Sequence, residues 1–130
     1  MDLNLSILGL ARGLSEHAAA RQSVIARNVA NADTPGYKAQ DIVPFSEAYG
    51  DRAAGTALRA TRAGHFEDPG TAARYRVEAA TVFGAESPNG NDVSLEDQMM
   101  RSVAAQQSHE LALGVMRKSL DILSMTIGRR

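Results

Sequence analysis

The chain has no cysteine and no tryptophan. Without thiols there is no disulfide scaffold, no thiolate nucleophile and no Cys-ligated zinc. The redox compartment stays open, because a cysteine-free chain suits oxidising and reducing surroundings alike. An excess of charge of one sign is missing too: 14 Lys and Arg stand against 15 Asp and Glu, for a formal charge of -1. That balance excludes the broad basic surface with which nucleic-acid binders track phosphates, and it gives no polybasic membrane anchor. No stretch approaches the roughly 20 apolar residues of a membrane span. Aromatics are scarce and confined: Tyr37, Phe45, Tyr49, Phe66, Tyr75 and Phe83 are the full set. Proline is absent before Pro35 and after Pro88. No cleaved secretory signal is expected at the N-terminus either. Leu3 to Ala11 is uncharged, but Asp2 stands where a basic region belongs, Asn4 and Ser6 interrupt the stretch, and Arg12 ends it.

What is present divides the 130 residues, a length suited to one domain, into three parts. The flanks are rich in Ala, Leu, Val, Ile, Met and Gln and carry +1 each, over residues 1–32 and 93–130; the middle, 33–92, carries -3. In the first flank Leu3, Ile7, Leu10, Leu14, Ala18, Ile25, Val29 and Ala32 recur every three or four residues, except across Arg21 and Gln22. That period predicts an amphipathic helix over 1–33. Gly9 and Gly13, four apart, invite close approach of another backbone and weaken the helix by about 1 kcal/mol each relative to Ala.

The last flank, 93–130, predicts a second helix. Ser94 followed by Asp97 reads as a capping box with Asp in place of the usual Glu or Gln. Leu95, Met99, Val103, Leu113, Met116, Leu120, Leu123 and Ile127 form its seam, with Gln106 and His109 in the middle, and the final stretch keeps heptad spacing. Such a helix is about 50 Å long, too long for a compact globule of this size. The expected fold is therefore mainly α. Two long terminal helices pair as a coiled-coil-like hairpin, and a small irregular, partly β middle segment over 34–92 completes one structural domain. The narrow seams are also the expected assembly surface: Leu3, Ile7, Leu10, Leu14, Ile25 and Val29 on the first helix, and the eight seam residues on the second. Because the seams are narrow and without aromatics, the terminal helices are expected to be incompletely ordered in the free subunit and to order on assembly, with a stable hairpin within one chain as the alternative.

The middle is punctuated by Thr34-Pro35-Gly36-Tyr37, Asp68-Pro69-Gly70 and Ser87-Pro88-Asn89-Gly90-Asn91. Proline second and glycine third predict a type II turn at Thr34–Tyr37. Arg74 to Glu78 and Thr81 to Phe83 are candidate short strands. Catalytic patterns are missing: Gly-x-Ser-x-Gly, Gly-x-x-x-x-Gly-Lys and Gly-x-Gly-x-x-Gly do not occur. His17, His65 and His109 share no helical metal-ligand spacing. His65 with Glu67 and Asp68 is the one arrangement that offers a metal site and a small metal-dependent enzyme as a reading. Asn89 to Asp92 with Glu96 lacks the ligand order of a calcium loop. These absences argue against an enzyme, and no cofactor, nucleic acid or small-molecule substrate is expected.

The segment Asn28-Val29-Ala30-Asn31-Ala32-Asp33-Thr34-Pro35-Gly36-Tyr37-Lys38-Ala39 resembles the signature of flagellar rod and hook proteins, in which a helix ends at an Ala-Asn pair and a Thr-Pro-Gly-Tyr turn follows. Its motif residues here are Asn28, Ala30, Asn31, Thr34, Pro35, Gly36 and Tyr37. Asn31 is placed to satisfy carbonyls at the helix end, Pro35 and Gly36 to fix the reversal, and Tyr37 to pack back on the helices. The short length, and Asn89 to Met99 leading into the last helix, resemble the proximal rod members, which lack the large middle domains of hook and distal rod proteins. A sibling proximal rod protein of similar length, which departs from the Thr-Pro-Gly-Tyr form, is the nearer rival. The resemblance implies a subunit that leaves the cytoplasm through the flagellar type III export apparatus and assembles in the periplasmic rod of the basal body. Its implied partners are itself, other rod proteins, the rod adaptor and membrane-ring components. From another class, a soluble helical adaptor or export chaperone would also use two paired long helices.

Overall fold

The computed structural model describes residues 2–54, 75–82 and 86–128, with the side chains of 2–5 and 51–54 excepted. A helix α1, Asp2–Ala30, is followed by strand β1, Gln40–Ile42, helix α2, Phe45–Ala54, strand β2, Val77–Ala79, and helix α3, Leu95–Ile127. No proline interrupts α1, and its end coincides with Asn31, whose Nδ2 donates 2.8 Å to the Arg27 carbonyl as that residue position predicts. At the start of α3, Ser94 is the N-cap in extended conformation, and its hydroxyl accepts from the Asp97 amide at 3.4 Å. The reciprocal half of the expected box is redirected. The Asp97 carboxylate instead accepts from Arg101 Nε, one turn on, at 2.8 Å.

The two long helices pair antiparallel within one chain, and this contact dominates the fold. Hydrogen bonds cross it at three levels: Gln22 Nε2 to Ser102 Oγ at 2.8 Å, Asn28 Nδ2 to Gln98 Oε1 at 3.0 Å, and Ser15 Oγ with His109 Nδ1 at 3.0 Å. The buried positions on α1 include Ala11, Ala18 and Ile25, and those on α3 include Gln98, Ala105, Ala112 and Ser119. Both series step by seven. In the register set by the crossing hydrogen bonds, Ala18 lies level with Ala105 and Ala11 with Ala112. Small side chains at these levels let the helix axes draw close, and the seven-residue spacing keeps the contact on one side of each helix.

Between the helices, β1 pairs antiparallel with β2, Gln40 opposite Ala79, Asp41 opposite Glu78 and Ile42 opposite Val77. The β2 strand overlaps the expected Arg74–Glu78 strand. Thr81 and Thr81's successor Val82 are not in a strand, and Phe83 lies outside the described residues. The short α2, unforeseen in the sequence, starts immediately after Pro44, whose carbonyl accepts from Glu47 and Ala48 amides at 3.0 Å each. Buried Ala39, Ile42 and Val43 supply the apolar underside of this middle unit. Gly9 has open space around it, so no backbone approaches there. The second glycine is the one in use: the Gly13 carbonyl accepts from the Tyr75 hydroxyl at 3.0 Å.

Candidate assembly site

The turn after α1 has the expected geometry. Gly36 has φ +70°, the left-handed conformation required at the third position of a type II turn, and the Tyr37 amide donates to the Thr34 carbonyl at 3.3 Å. The linker into α3 folds directly onto it. Gly36 N–H donates 2.9 Å to the Asn89 carbonyl, and the Ala39 amide donates 2.6 Å to Asp92 Oδ1. Asn91, 2% exposed, donates from Nδ2 to the Asn31 carbonyl at 2.9 Å and the Thr34 carbonyl at 2.8 Å. Its Oδ1 accepts from the Val93 amide at 2.8 Å. One side chain thus closes the C-terminus of α1, the turn and the approach to α3. Gly90, at φ +81°, stands against Gly36, where a Cβ would meet Gly36 Cα at 3.5 Å.

Beneath the turn, Asn28 is fully buried, and all its hydrogen-bonding capacity is used. Nδ2 donates to the Gln40 carbonyl at 2.7 Å and to Gln98 Oε1 at 3.0 Å; Oδ1 accepts from the Gln40 amide at 3.1 Å and the Tyr37 hydroxyl at 3.2 Å. The amide binds both backbone groups of Gln40 as a neighbouring strand would, so α1 supplies a substitute strand to the open edge of β1. Tyr37 packs back as expected and reaches Asn28 through its hydroxyl. Of the other motif residues, Ala30 is the exposed last residue of α1, Thr34 Oγ1 donates 3.2 Å to Asn31 Oδ1, and Pro35 is exposed on the turn. Gln98 Nε2 is the buried side-chain polar atom left without a partner among the described residues.

A second polar group ties β1 to both helices. Asp41 accepts from Arg21 at 2.9 Å and 2.6 Å, one bond to each carboxylate oxygen, and from Arg101 Nη1. Arg101 Nη2 also donates 2.7 Å to the Thr81 carbonyl. Burial pushes the Asp41 carboxyl up, but the Arg21 hydrogen bonds, the Ile42 amide and Arg101 outweigh it and hold the carboxyl below its ordinary 3.8. Burial likewise opposes the Arg101 charge, which Asp97 and Asp41 more than restore. A carboxyl with a depressed folded pKa stabilises the fold fully above its unfolded value, and that contribution is lost as pH falls through the folded pKa. Asp41→Asn is therefore expected to lower the urea midpoint clearly at pH 7 and progressively less as pH falls through the folded pKa; equal effects at neutral and acidic pH would contradict the ion pairing.

The seam residues named from the sequence separate into distinct environments. Ile25 is buried; Leu14, Leu113, Met116 and Leu123 are half-buried. Ile7, Leu10, Val29, Leu95, Met99, Val103, Leu120 and Ile127 are exposed, Met99 to 69%. The Leu3 side chain lies outside the described residues, as does the candidate metal site of His65, Glu67 and Asp68. Among the described residues no cluster of His, Asp and Glu is arranged to hold a metal ion, and no helix is long and apolar enough to cross a membrane. On α3 the outward face adds Met100, Leu111, Ile122 and Met125, each more than half exposed. The sequence reading missed Arg21, Asp41, Asn91, Gln98 and Arg101. Asn91 had a visible signal in the Asn-Gly-Asn-Asp run, whereas the others read as ordinary surface polars.

The helix end and turn are also where the comparison with known proteins falls. The sequence model of the family described as flagella basal body rod protein matches residues 11–38, from within α1 through Lys38. Over that segment the chain is similar to flagellar basal-body rod proteins. Along nearly its whole length it is similar to the flagellar basal body rod protein FlgB of Agrobacterium fabrum, 24% identical over 128 residues that cover 96% of this chain and 95% of that protein. Within the family match, the Asn28 substitute strand and the Gly36 turn are the parts whose geometry depends on particular residues.

Proposed function

We propose that this chain is a proximal-rod subunit of the flagellar basal body. It leaves the cytoplasm through the flagellar type III export apparatus without a cleaved signal peptide. In the periplasm it assembles with copies of itself and with other rod proteins into the hollow axial rod. That rod joins the membrane ring to the distal rod and hook and transmits torque, with the rod adaptor and membrane-ring components as neighbours. The observation that carries this reading is the apolar outward face of α3. Met99, Met100, Val103, Leu111, Ile122 and Met125 run along a 33-residue helix and are each left more than half exposed by the described parts of their own chain. Exposed apolar surface of that extent marks a contact with another molecule. Leu3, Ile7, Leu10 and Val29 on α1, with Leu95, Leu120 and Ile127 on α3, belong to the same proposed assembly surface, and 1–33, 34–92 and 93–130 act as one structural unit within it.

The test is fractionation of cells that are building flagella. The protein is expected in the basal-body pellet. Recovery from the cytosol alone would overturn the rod reading in favour of a soluble adaptor or export chaperone. The double substitution Met99→Lys and Val103→Lys sharpens it. Both sites are exposed, so subunit stability is expected to move by no more than about 0.5 kcal/mol per site, while incorporation into basal bodies and motility are lost. Normal motility in that variant would remove the outward face of α3 from the assembly.

A further inference from the structure

The antiparallel β1–β2 pair, a wide hairpin whose strands are joined through α2 and a long connection, packs against the helix pair. Its buried apolar residues are Ala39, Ile42 and Val43, and the flanking Phe45 and Tyr75 rings stand edge-on to His17 of α1 at 5.6 and 5.0 Å. A cavity of about 320 Å³ remains between hairpin and helices, walled in part by Leu14, Ala18 and Ala105 on the helices and by Ile42 and Ala79 on the strands. Polar contacts from several different helix positions also cross this space. Asn28 holds Gln40, and His17, itself buried, is 2.8 Å from the Val43 carbonyl through Nε2, which therefore carries the proton. Arg21 from α1 and Arg101 from α3 converge on Asp41, and Arg101 alone reaches across to the Thr81 carbonyl beyond β2.

Asp41 is the common point. It is the only hairpin side chain among these contacts that binds both long helices, and among the described residues the two guanidiniums that meet there have no other carboxylate in common. The remaining ionisable groups around it are Asp97, which takes the Nε of Arg101, and His17 and Glu78 on the walls of the cavity. The helix pair, by contrast, has its own contacts that do not pass through Asp41: the Ala18 and Ala105 levels, Gln22 with Ser102, and Ser15 with His109. Buried polar networks are strong when complete and costly when one member is lost. The cavity beside the network leaves packing around Asp41 itself incomplete, so that the ion pairs carry the docking at this point.

We propose that Asp41 is a latch that docks the β1–β2 hairpin on the helix pair, and that neutralising it releases the hairpin as a unit while α1 and α3 stay paired. The hairpin is then a separable element of the subunit, with its own opening equilibrium, and the helix pair is the part that persists.

Hydrogen exchange on the full chain tests this at neutral pH with Asp41→Asn, which keeps the shape and removes the charge. The amides of Val43 and Ala80 bridge the two strands, donating to the Arg76 carbonyl at 3.1 Å and the Ala39 carbonyl at 2.9 Å, and the Gln40 amide reports docking on Asn28. These three are expected to exchange at least about tenfold faster in the variant, with amides of α1 and α3 around Ala18, Ile25, Ala105 and Ala112 changed much less. Arg76→Ala is the control. It removes the exposed ion pairs to Glu47 and Glu78 on the outer side of the hairpin and is expected to leave the three amides protected. Unchanged hairpin protection in Asp41→Asn would overturn the latch. So would equal loss of protection in hairpin and helices, because the hairpin would then not be a separate unit.

Discussion

Replacing Asn28 with Ala is expected to lower the stability of the subunit by about 3–5 kcal/mol, an effect at the upper end for a single polar residue. The magnitude follows from what the amide leaves behind. The Gln40 N–H and carbonyl both lose their partner, as do the Tyr37 hydroxyl and Gln98 Oε1. Gln98 is 1% exposed and its Nε2 already lacks a partner, so its whole amide would stand unpaired. An unpaired buried polar group costs about 1–3 kcal/mol, and a truncated side chain adds the loss of its packing contacts. Partial solvation of Gln40 and Tyr37 keeps the total below a simple addition. Asn28→Asp separates hydrogen bonding from shape: it can still accept from the Gln40 amide and Tyr37, but cannot donate to the Gln40 carbonyl and Gln98. Urea denaturation of both variants measures the effect through the midpoint at constant slope. A loss below about 1 kcal/mol for Asn28→Ala would show that β1 does not depend on its substitute strand.

That residue also marks the boundary of what the sequence makes legible. The long helices follow from periodicity and from the confinement of proline to residues 35–88, and the turn follows from Pro35 and Gly36, whose dihedral preferences act locally. The choice of helix face does not follow from local signals. Leu, Ile and Met at three- and four-residue steps are the strongest apolar signal, yet the intrachain contact is built on Ala11, Ala18, Ala105 and Ala112, with many of the larger side chains turned outward. Two antiparallel rods present too little mutual surface to bury every large side chain, and small residues allow the closer approach. The seven-residue recurrence of Ala and Ser was visible, but small residues carry little weight in an apolar count.

The middle segment is harder for a different reason. Gln40-Asp41-Ile42 has no clear strand alternation, and its strand depends on β2 from 35 residues away along the chain and on an amide from α1. Arg21 and Arg101 are 80 positions apart and carry no sequence sign of meeting at one carboxylate. Tertiary contact defines this part of the fold, so local propensity is a weak guide to it. The linker at Asn89–Asp92 lies between these cases. Its turn character is legible, whereas its role as the cap of α1 requires the antiparallel return of the chain.

Replacing Gly36 with Val is expected to cost about 1–3 kcal/mol and to impair rod assembly. The structure identifies the cause of the cost. A Cβ added at Gly36 meets nothing within 4 Å, so crowding by neighbours is excluded, and the φ of +70° is left as the source of strain. A β-branched side chain resists that conformation, while Asn tolerates it. Gly36→Asn is therefore expected to retain most of the stability and motility that Gly36→Val loses. The Gly36 amide also donates to Asn89, so a turn that relaxes to negative φ would withdraw this donor and loosen the linker that carries Asn91. Asn91 then loses its fixed position under the Asn31 and Thr34 carbonyls, and the end of α1 and the start of α3 separate. Stability and motility should accordingly fall together in Gly36→Val. Normal motility and normal rod yield in that variant would show that the positive φ is dispensable, and equal defects in Val and Asn would move the cause from backbone strain to the loss of glycine's small size.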